Sequence, residues 1–232
     1  MNVLKKGKEL VCSDGVQEFS INLLSDCFAL LGGDYTAAAR ILYSVTKGTL
    51  DVKDQLFWEK FENFLNDFDA TDDFLGDFCR VLTEDWEKPD NQKRLLETID
   101  KIDTKSKAKY LATASRCLAA GMISRNEYFR ICHFLKNSLQ EDLLFLQKEI
   151  VGDKEYEYND TIQGLWSSGL MYQSVVSPNG DDRYAFTPFA KTLDKYALSY
   201  DNLERYPMIL EGKVPTEPQR LSVTVGIPIE EF

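Results

Sequence analysis

The sequence predicts a mainly α-helical fold, in which a helical bundle is followed by a small winged-helix-like unit with a two-stranded β-hairpin. Apolar residues recur at helical spacing through the first half of the chain. From Ser138 to Tyr200 the pattern becomes helix, helix, glycine, two short strands around a turn, and a helix that begins at Thr187-Pro188. We therefore predict a bundle over residues 1–137, a winged-helix-like unit over residues 138–206, and a proline-containing tail over residues 207–232.

The first half of the chain contains signals for five helices. Residues Val16 to Leu31 are predicted to form the first helix. Asp34 and Asp51 are predicted to cap the second and third, because aspartate accepts hydrogen bonds from the unpaired N–H groups of a first turn. A fourth helix is predicted to begin at Thr71 or Asp72. A fifth follows Lys88-Pro89-Asp90, since proline disfavours helix in the residue before it.

The middle of the chain predicts a central helix and two capping boxes. Asp103 to Ala120 is rich in alanine, serine and cysteine, whose small side chains let neighbouring helices approach closely. Ser124 and Glu127 fit a capping box, in which the hydroxyl and the carboxylate each satisfy a backbone N–H at a helix start. Ser138 and Glu141 repeat this pattern and predict the start of the next helix.

The winged-helix-like unit is predicted from its caps, strands and turn. Asn159 is expected to cap a helix that ends before Gly169. Residues 170–176 and 182–187 are strand candidates, joined by a turn at Ser177-Pro178-Asn179-Gly180. Pro188 at the first helical position, after Thr187, predicts one more helix. In the tail, Leu221 to Val225 alternates and predicts a single strand.

Composition predicts a cytoplasmic protein without a membrane span. The chain has 232 residues, of which 44% are hydrophobic. Its five cysteines are scattered, odd in number and free of any C-x-x-C pair, which is typical of a reducing compartment. The longest apolar segment, Ile21 to Leu31, is too short and too polar to cross a bilayer.

Charge is distributed unevenly along the chain. The net charge is −11, and residues 51–100 hold fifteen acidic and six basic residues. Residues 101–138 hold two acidic and eight basic residues. A densely acidic surface can dock on the basic groove of a nucleic-acid-binding protein and so mimic phosphate. The residues predicted to contact such a partner are Asp67, Asp69, Asp72, Asp73 and Asp77.

Nucleic-acid binding is an alternative function. Lys105, Lys109 and Arg116 fall near one helical stripe, which could bind phosphate. The winged-helix-like unit itself is poorly suited to DNA. Its helix Asp160 to Ser168 has no lysine or arginine, and Trp166 is expected in the core.

Catalysis is a second alternative, based on Asp67-Phe68-Asp69-Ala70-Thr71. This string resembles the nucleophile motif of haloacid-dehalogenase phosphatases, which needs the end of a buried parallel strand. The preceding residues have helical spacing instead. The same acidic run lacks the glycine and the final glutamate of an EF-hand. His133, the only histidine, follows Cys132 directly and cannot pair with it on one helix, so no catalytic residue, metal or cofactor is predicted.

Two strings of the sequence are Ala120 to Arg130 and Glu141 to Leu146, and they are followed by Ser168-Gly169-Leu170 and by Tyr184 to Ala190. Together they resemble the helical core of bacterial domains of the abortive-infection alpha type. The resemblance covers residues 90–200 and implies a bacterial or phage setting, with no active site. We therefore predict a non-enzymatic protein-binding adaptor or inhibitor that uses its acidic helical surface.

Overall fold

The computed structural model describes residues 22–31, 34–68, 78–82, 88–152, 154–178 and 180–199, together with residues 5 and 9. This part of the chain is mainly helical and carries a small three-stranded antiparallel sheet. The helices are α1 (Leu23–Leu31), α2 (Tyr35–Lys47), α3 (Val52–Phe68), α4 (Lys88–Lys101), α5 (Lys105–Ala119), α6 (Arg125–Asn137), α7 (Gln140–Glu149), α8 (Asp160–Ser167) and α9 (Pro188–Leu193). Residues 78–82 are also helical, and a π-helical turn, Asp194–Leu198, continues α9.

Most of the predicted caps are present. The Asp34 carboxylate accepts a hydrogen bond from Thr36 N at 3.0 Å, and Asp51 accepts one from Asp54 N at 2.8 Å. The capping box of Ser124 and Glu127 is complete in both directions. Asn159 and Thr187 cap α8 and α9, with Pro188 in the first turn of α9. These side chains satisfy N–H groups that a helix start leaves unpaired.

The second predicted capping box is wrong. The N-cap of α7 is Leu139, which makes no side-chain cap bond, and the Ser138 hydroxyl is buried without a hydrogen-bond partner. The Ser138 carbonyl instead accepts a hydrogen bond from the buried Lys107 ammonium at 2.7 Å. The helix therefore begins one residue later than the predicted box requires, and the Ser138 carbonyl contacts Lys107.

The predicted central helix is α5. Ala108, Ala112, Ala114, Ser115 and Cys117 are buried on it, and α3 packs along its length. Buried phenylalanines form a row of ring contacts along α3: Phe57, Phe61, Phe64 and Phe68. The row continues through Phe78 to Tyr128 on α6. Small residues on one helix and aromatic residues on the other let the two axes approach while filling the core.

The sheet contains one strand more than predicted. Its strands are β1 (Tyr156–Glu157), β2 (Met171–Val175) and β3 (Arg183–Phe186), in the order β1-β3-β2. The expected hairpin is β2 and β3, whose register shifts between Gln173 and Val175. The added strand β1 has two residues, and Tyr156 pairs with Tyr184. Gly169, with a φ of 84°, ends α8 in the left-handed conformation that glycine tolerates.

The second half of the described chain packs on α5. The π-helical turn contacts α5, where the Cys117 thiol donates to the Tyr196 carbonyl at 3.4 Å. Gln147 on α7 donates to the Leu198 carbonyl at 2.7 Å. The predicted boundaries at residues 137 and 206 stay predictions, and the predicted tail strand lies outside the described residues.

None of the helices described above combines the length with the apolar character that crossing a membrane requires.

Candidate functional site

The predicted acidic contact residues lie mostly outside the described residues. Asp67 lies half-buried in the last turn of α3, while Asp69, Asp72, Asp73 and Asp77 are not among the described residues. The D-x-D-x-T string thus begins in a helix, whereas phosphatase chemistry of this type needs the end of a strand. Within the described ranges, no three histidine, cysteine, aspartate or glutamate side chains are grouped to hold a metal ion.

The described part of residues 51–100, the acidic region of the sequence, is close to neutral. Eight of the fifteen acidic residues between positions 51 and 100 are described, and so are all six basic residues. The other seven acidic residues fall in the stretches 69–77 and 83–87. The acidic excess that the sequence analysis identified therefore belongs to the segment between α3 and α4 rather than to the two helices.

The predicted basic stripe is uneven. Lys105 and Lys109 are exposed on α5, but Arg116 is half-buried and its Nη2 donates to Thr113 Oγ1 at 3.2 Å. A guanidinium held against its own helix presents less of its charge to phosphate than an exposed ammonium does. The stripe thus offers two exposed cations, one helical turn apart.

In the segment that the sequence predicts to be winged-helix-like, the arginine next to the turn is paired with a carboxylate. Arg183 forms an ion pair with Glu157, with Nη1 and Oε1 at 2.7 Å. Asp182 accepts a hydrogen bond from Ser177 N at 2.9 Å and closes the turn between β2 and β3. The prediction that Trp166 belongs to the core is wrong. Its ring contacts Tyr184 edge-on, but the residue is 45% exposed.

The histidine and the thiols do not form a nucleophilic site in the described chain. The Asn137 amide nitrogen lies 3.1 Å from His133 Nδ1, and the His133 ring packs edge-on against Phe134. Burial raises the pKa of the Cys132 thiol to about 12 and that of the Cys79 thiol to about 12. Because the thiolate is the nucleophile, a raised pKa leaves little of the reactive form of these two groups at neutral pH.

An apolar groove of about 280 Å³ lies between α1, α3 and α4. Its floor is formed by Leu24, Phe57 and Leu96, and Leu24 is 52% exposed. Its rim is charged and consists of Lys53, Asp54, Lys93, Glu97 and Asp100. Val52 and Leu56 are exposed on α3 and share one helix face, because they are four positions apart. Each directly precedes a residue of the groove, Lys53 or Phe57, so their row lies next to it. We call this surface the apolar groove.

A second groove, of about 360 Å³, lies between α4, α6 and the start of α9. Two exposed arginines line it, Arg94 from α4 and Arg130 from α6. Each guanidinium lies over a phenylalanine ring: Arg94 is 3.7 Å from the centroid of Phe129, and Arg130 is 5.9 Å from that of Phe189. Other lining residues are Asn126, His133 and Phe134. We call this surface the arginine groove.

Neither groove is predicted from the sequence pattern. The residues of the arginine groove come from separate helices, and no local spacing joins Arg94 to the α6 residues. The available signal was the two pairs Phe129-Arg130 and His133-Phe134, one helical turn apart on one helix. For the apolar groove, the signal was the pair Val52 and Leu56, two apolar residues on the solvent side of α3.

Comparison with protein families, with curated proteins and with solved structures gives no match to this chain.

Proposed function

We propose that this chain is a non-enzymatic protein-binding protein, an adaptor or inhibitor whose partner docks on the apolar groove. The observation that carries this proposal is the apolar floor of Leu24, Phe57 and Leu96. The exposed Leu56 precedes Phe57 on α3 and extends the apolar surface next to the groove. Clustered apolar side chains in a groove with a charged rim are typical of protein-binding surfaces. Leu24 and Leu56, at 52% and 54% exposure, would be buried by the partner.

The last turn of α3 and the acidic segment that follows it supply the charge that selects the partner. Asp67, Asp69, Asp72, Asp73 and Asp77 would face a basic protein surface, as on a nucleic-acid-binding protein. Opposite charges steer association and set its salt dependence, while apolar contacts in the groove supply most of the affinity. The partner we expect is therefore basic around an apolar anchor.

The setting and the finer architecture belong to the same proposal. The resemblance of residues 90–200 to abortive-infection alpha-type domains supports a bacterial or phage origin and a role in conflict between the two. The free thiols of the described cysteines support a reducing, cytoplasmic location. The sheet order β1-β3-β2, with α8 between β1 and β2, supports the winged-helix-like interpretation of residues 138–206.

The experiment is a quantitative capture from an extract of the native host. The full chain, the double variant Leu24→Asp/Leu56→Asp, and the control Leu144→Asp are compared. Leu144 is 48% exposed on α7 and does not line the groove, so it matches the exposure of the changed residues. We expect the full chain to capture a basic partner and the double variant to capture at least about tenfold less of it. The reason is that one charge in an apolar contact costs more than about 1.4 kcal/mol of binding free energy.

Two results would contradict the proposal. One is equal retention of every protein by the full chain and by the double variant. The other is loss of the partner with Leu144→Asp as well, which would indicate general damage instead of a specific surface.

The variant Asp69→Asn/Asp72→Asn/Asp73→Asn separately tests the acidic segment. It should slow association and flatten its salt dependence, while the dissociation rate changes little.

A further inference from the structure

We propose that the arginine groove binds a phosphate monoester carried on a planar ring, the chemistry of a nucleoside monophosphate. This function goes beyond the protein binding proposed for the apolar groove and uses a different surface. It is carried by two arginines, a histidine and an amide that line one cavity with three phenylalanines.

The two arginines supply the anion-binding half of the site. Within the described part of the chain, neither Arg94 nor Arg130 has a carboxylate partner, although the protein as a whole has a net charge of −11. A guanidinium that stacks on an aromatic ring makes this contact with its own flat face. The N–H groups at its edge can therefore still donate hydrogen bonds in the guanidinium plane. Two such edges in one groove match the several acceptor oxygens of a phosphate monoester better than the single charge of a carboxylate.

Neutral donors add to the same half of the site. The Asn137 amide nitrogen donates to the His133 carbonyl at 2.7 Å and lies 3.1 Å from His133 Nδ1. With a donor at Nδ1, the ring proton of a neutral imidazole is on Nε2, which is then a hydrogen-bond donor. Asn126 contributes an exposed side-chain amide to the lining.

The aromatic residues supply the ring-binding half of the site. Phe134 and Phe189 are both half-buried, with centroids 5.1 Å apart and planes tilted by 36°. Their partly exposed ring surfaces can stack on a base, which every nucleobase permits because each has a π-face. A volume of about 360 Å³ is within the range of small-molecule sites, which begins at about 300 Å³.

The test measures the affinity of the full chain for adenosine 5′-monophosphate by titration calorimetry. We expect saturable binding that Arg94→Gln and Arg130→Gln each weaken by about tenfold or more, since a charge-assisted hydrogen bond is lost. The control is Lys148→Gln, which removes an exposed cation on α7 that does not line the groove and should leave the affinity unchanged. Circular dichroism and melting of each variant check that it is folded.

Further ligands separate the two halves of the site. Ribose 5-phosphate keeps the phosphate and loses the base, while adenosine keeps the base and loses the phosphate. Both should bind at least about tenfold more weakly than the nucleotide. The proposal is overturned if the nucleotide does not bind at millimolar concentration, if ribose 5-phosphate binds equally well, or if neither arginine variant changes the affinity. Tighter, arginine-dependent binding of a single-stranded oligonucleotide would also overturn it, because the ligand would then be a polymer.

Discussion

The buried ammonium of Lys107 should contribute measurably to stability through a single backbone carbonyl. Lys107 is 1% exposed on α5, and its Nζ lies 2.7 Å from the Ser138 carbonyl oxygen and 2.8 Å from Asp103 Oδ1. The Asp103 side chain is 58% exposed and can be hydrated when the lysine is removed. The carbonyl between α6 and α7 is buried and would lose the donor that the structure gives it.

These contacts set the expected size of the effect. In Lys107→Met the side-chain volume is nearly kept, and the cost is that of an unsatisfied buried carbonyl, about 1–3 kcal/mol. Removing a buried charge returns part of its desolvation penalty, so we expect a net loss of about 1–2 kcal/mol. Lys107→Ala also removes three methylene groups from the core and should cost about 2 kcal/mol more.

Urea unfolding of the full chain measures these differences at constant m-value. Asp103→Asn is the matched control, because it removes the ion pair and keeps the ammonium on the carbonyl. The Asp103 carboxylate is 58% exposed and screened by solvent, and the asparagine amide oxygen can still accept a hydrogen bond from the ammonium, so this variant should cost less stability than Lys107→Met. If Lys107→Met is as stable as the parent, the carbonyl contact contributes nothing. If Asp103→Asn costs as much as Lys107→Met, the stabilisation belongs to the ion pair.

Three other predictions concern single side chains. Ser124→Ala removes a working cap and should destabilise by about 1 kcal/mol, whereas Ser138→Ala removes a buried hydroxyl without a partner and should be neutral or stabilising in the same urea assay. Burial raises the pKa of Asp142 above its ordinary 3.8, so its ionised form costs stability at neutral pH. Asp142→Asn should therefore be more stable than the parent at pH 7, and thermal melts at falling pH should show the gain vanish below pH 3.8, where the carboxyl is protonated in both states. Cys132 is buried with a pKa of about 12, so iodoacetamide should modify it in urea but not in the native protein at pH 8, as read by mass spectrometry; rapid native labelling would contradict this burial.

The elements predicted correctly from the sequence are those whose signals are local. Asp34, Ser124, Asn159 and Thr187 cap their helices because each side chain bonds a backbone N–H two or three residues away. Such contacts need no partner from elsewhere in the chain. The order of helices and the hairpin could therefore be predicted from spacing alone.

The errors occur where distant residues decide the structure. Ser138 has the same local pattern as Ser124, but Lys107, 31 positions earlier, bonds its carbonyl and the cap is not formed. Strand β1 is two residues long and has no alternation of its own. It exists because Tyr156 pairs with Tyr184, 28 positions later. Trp166 is apolar enough for the core, but Leu165 and Ile162 already fill that side of α8.

The two candidate surfaces also depend on residues that are distant in sequence, and α4 contributes side chains to both. This helix contributes Leu96 to the apolar groove and Arg94 to the arginine groove, while Leu95 and Ile99 between them are fully buried. Because its buried face fixes α4 in the core, we expect the helix to keep one arrangement whichever groove is occupied. Coupling requires two states that the ligands bind unequally, and it is reciprocal. We therefore expect Arg94→Gln to leave partner capture intact and Leu24→Asp/Leu56→Asp to leave nucleotide affinity unchanged. Loss of the partner in Arg94→Gln would instead show that the partner contacts the arginine groove, and the two proposed functions would then be competing uses of one surface.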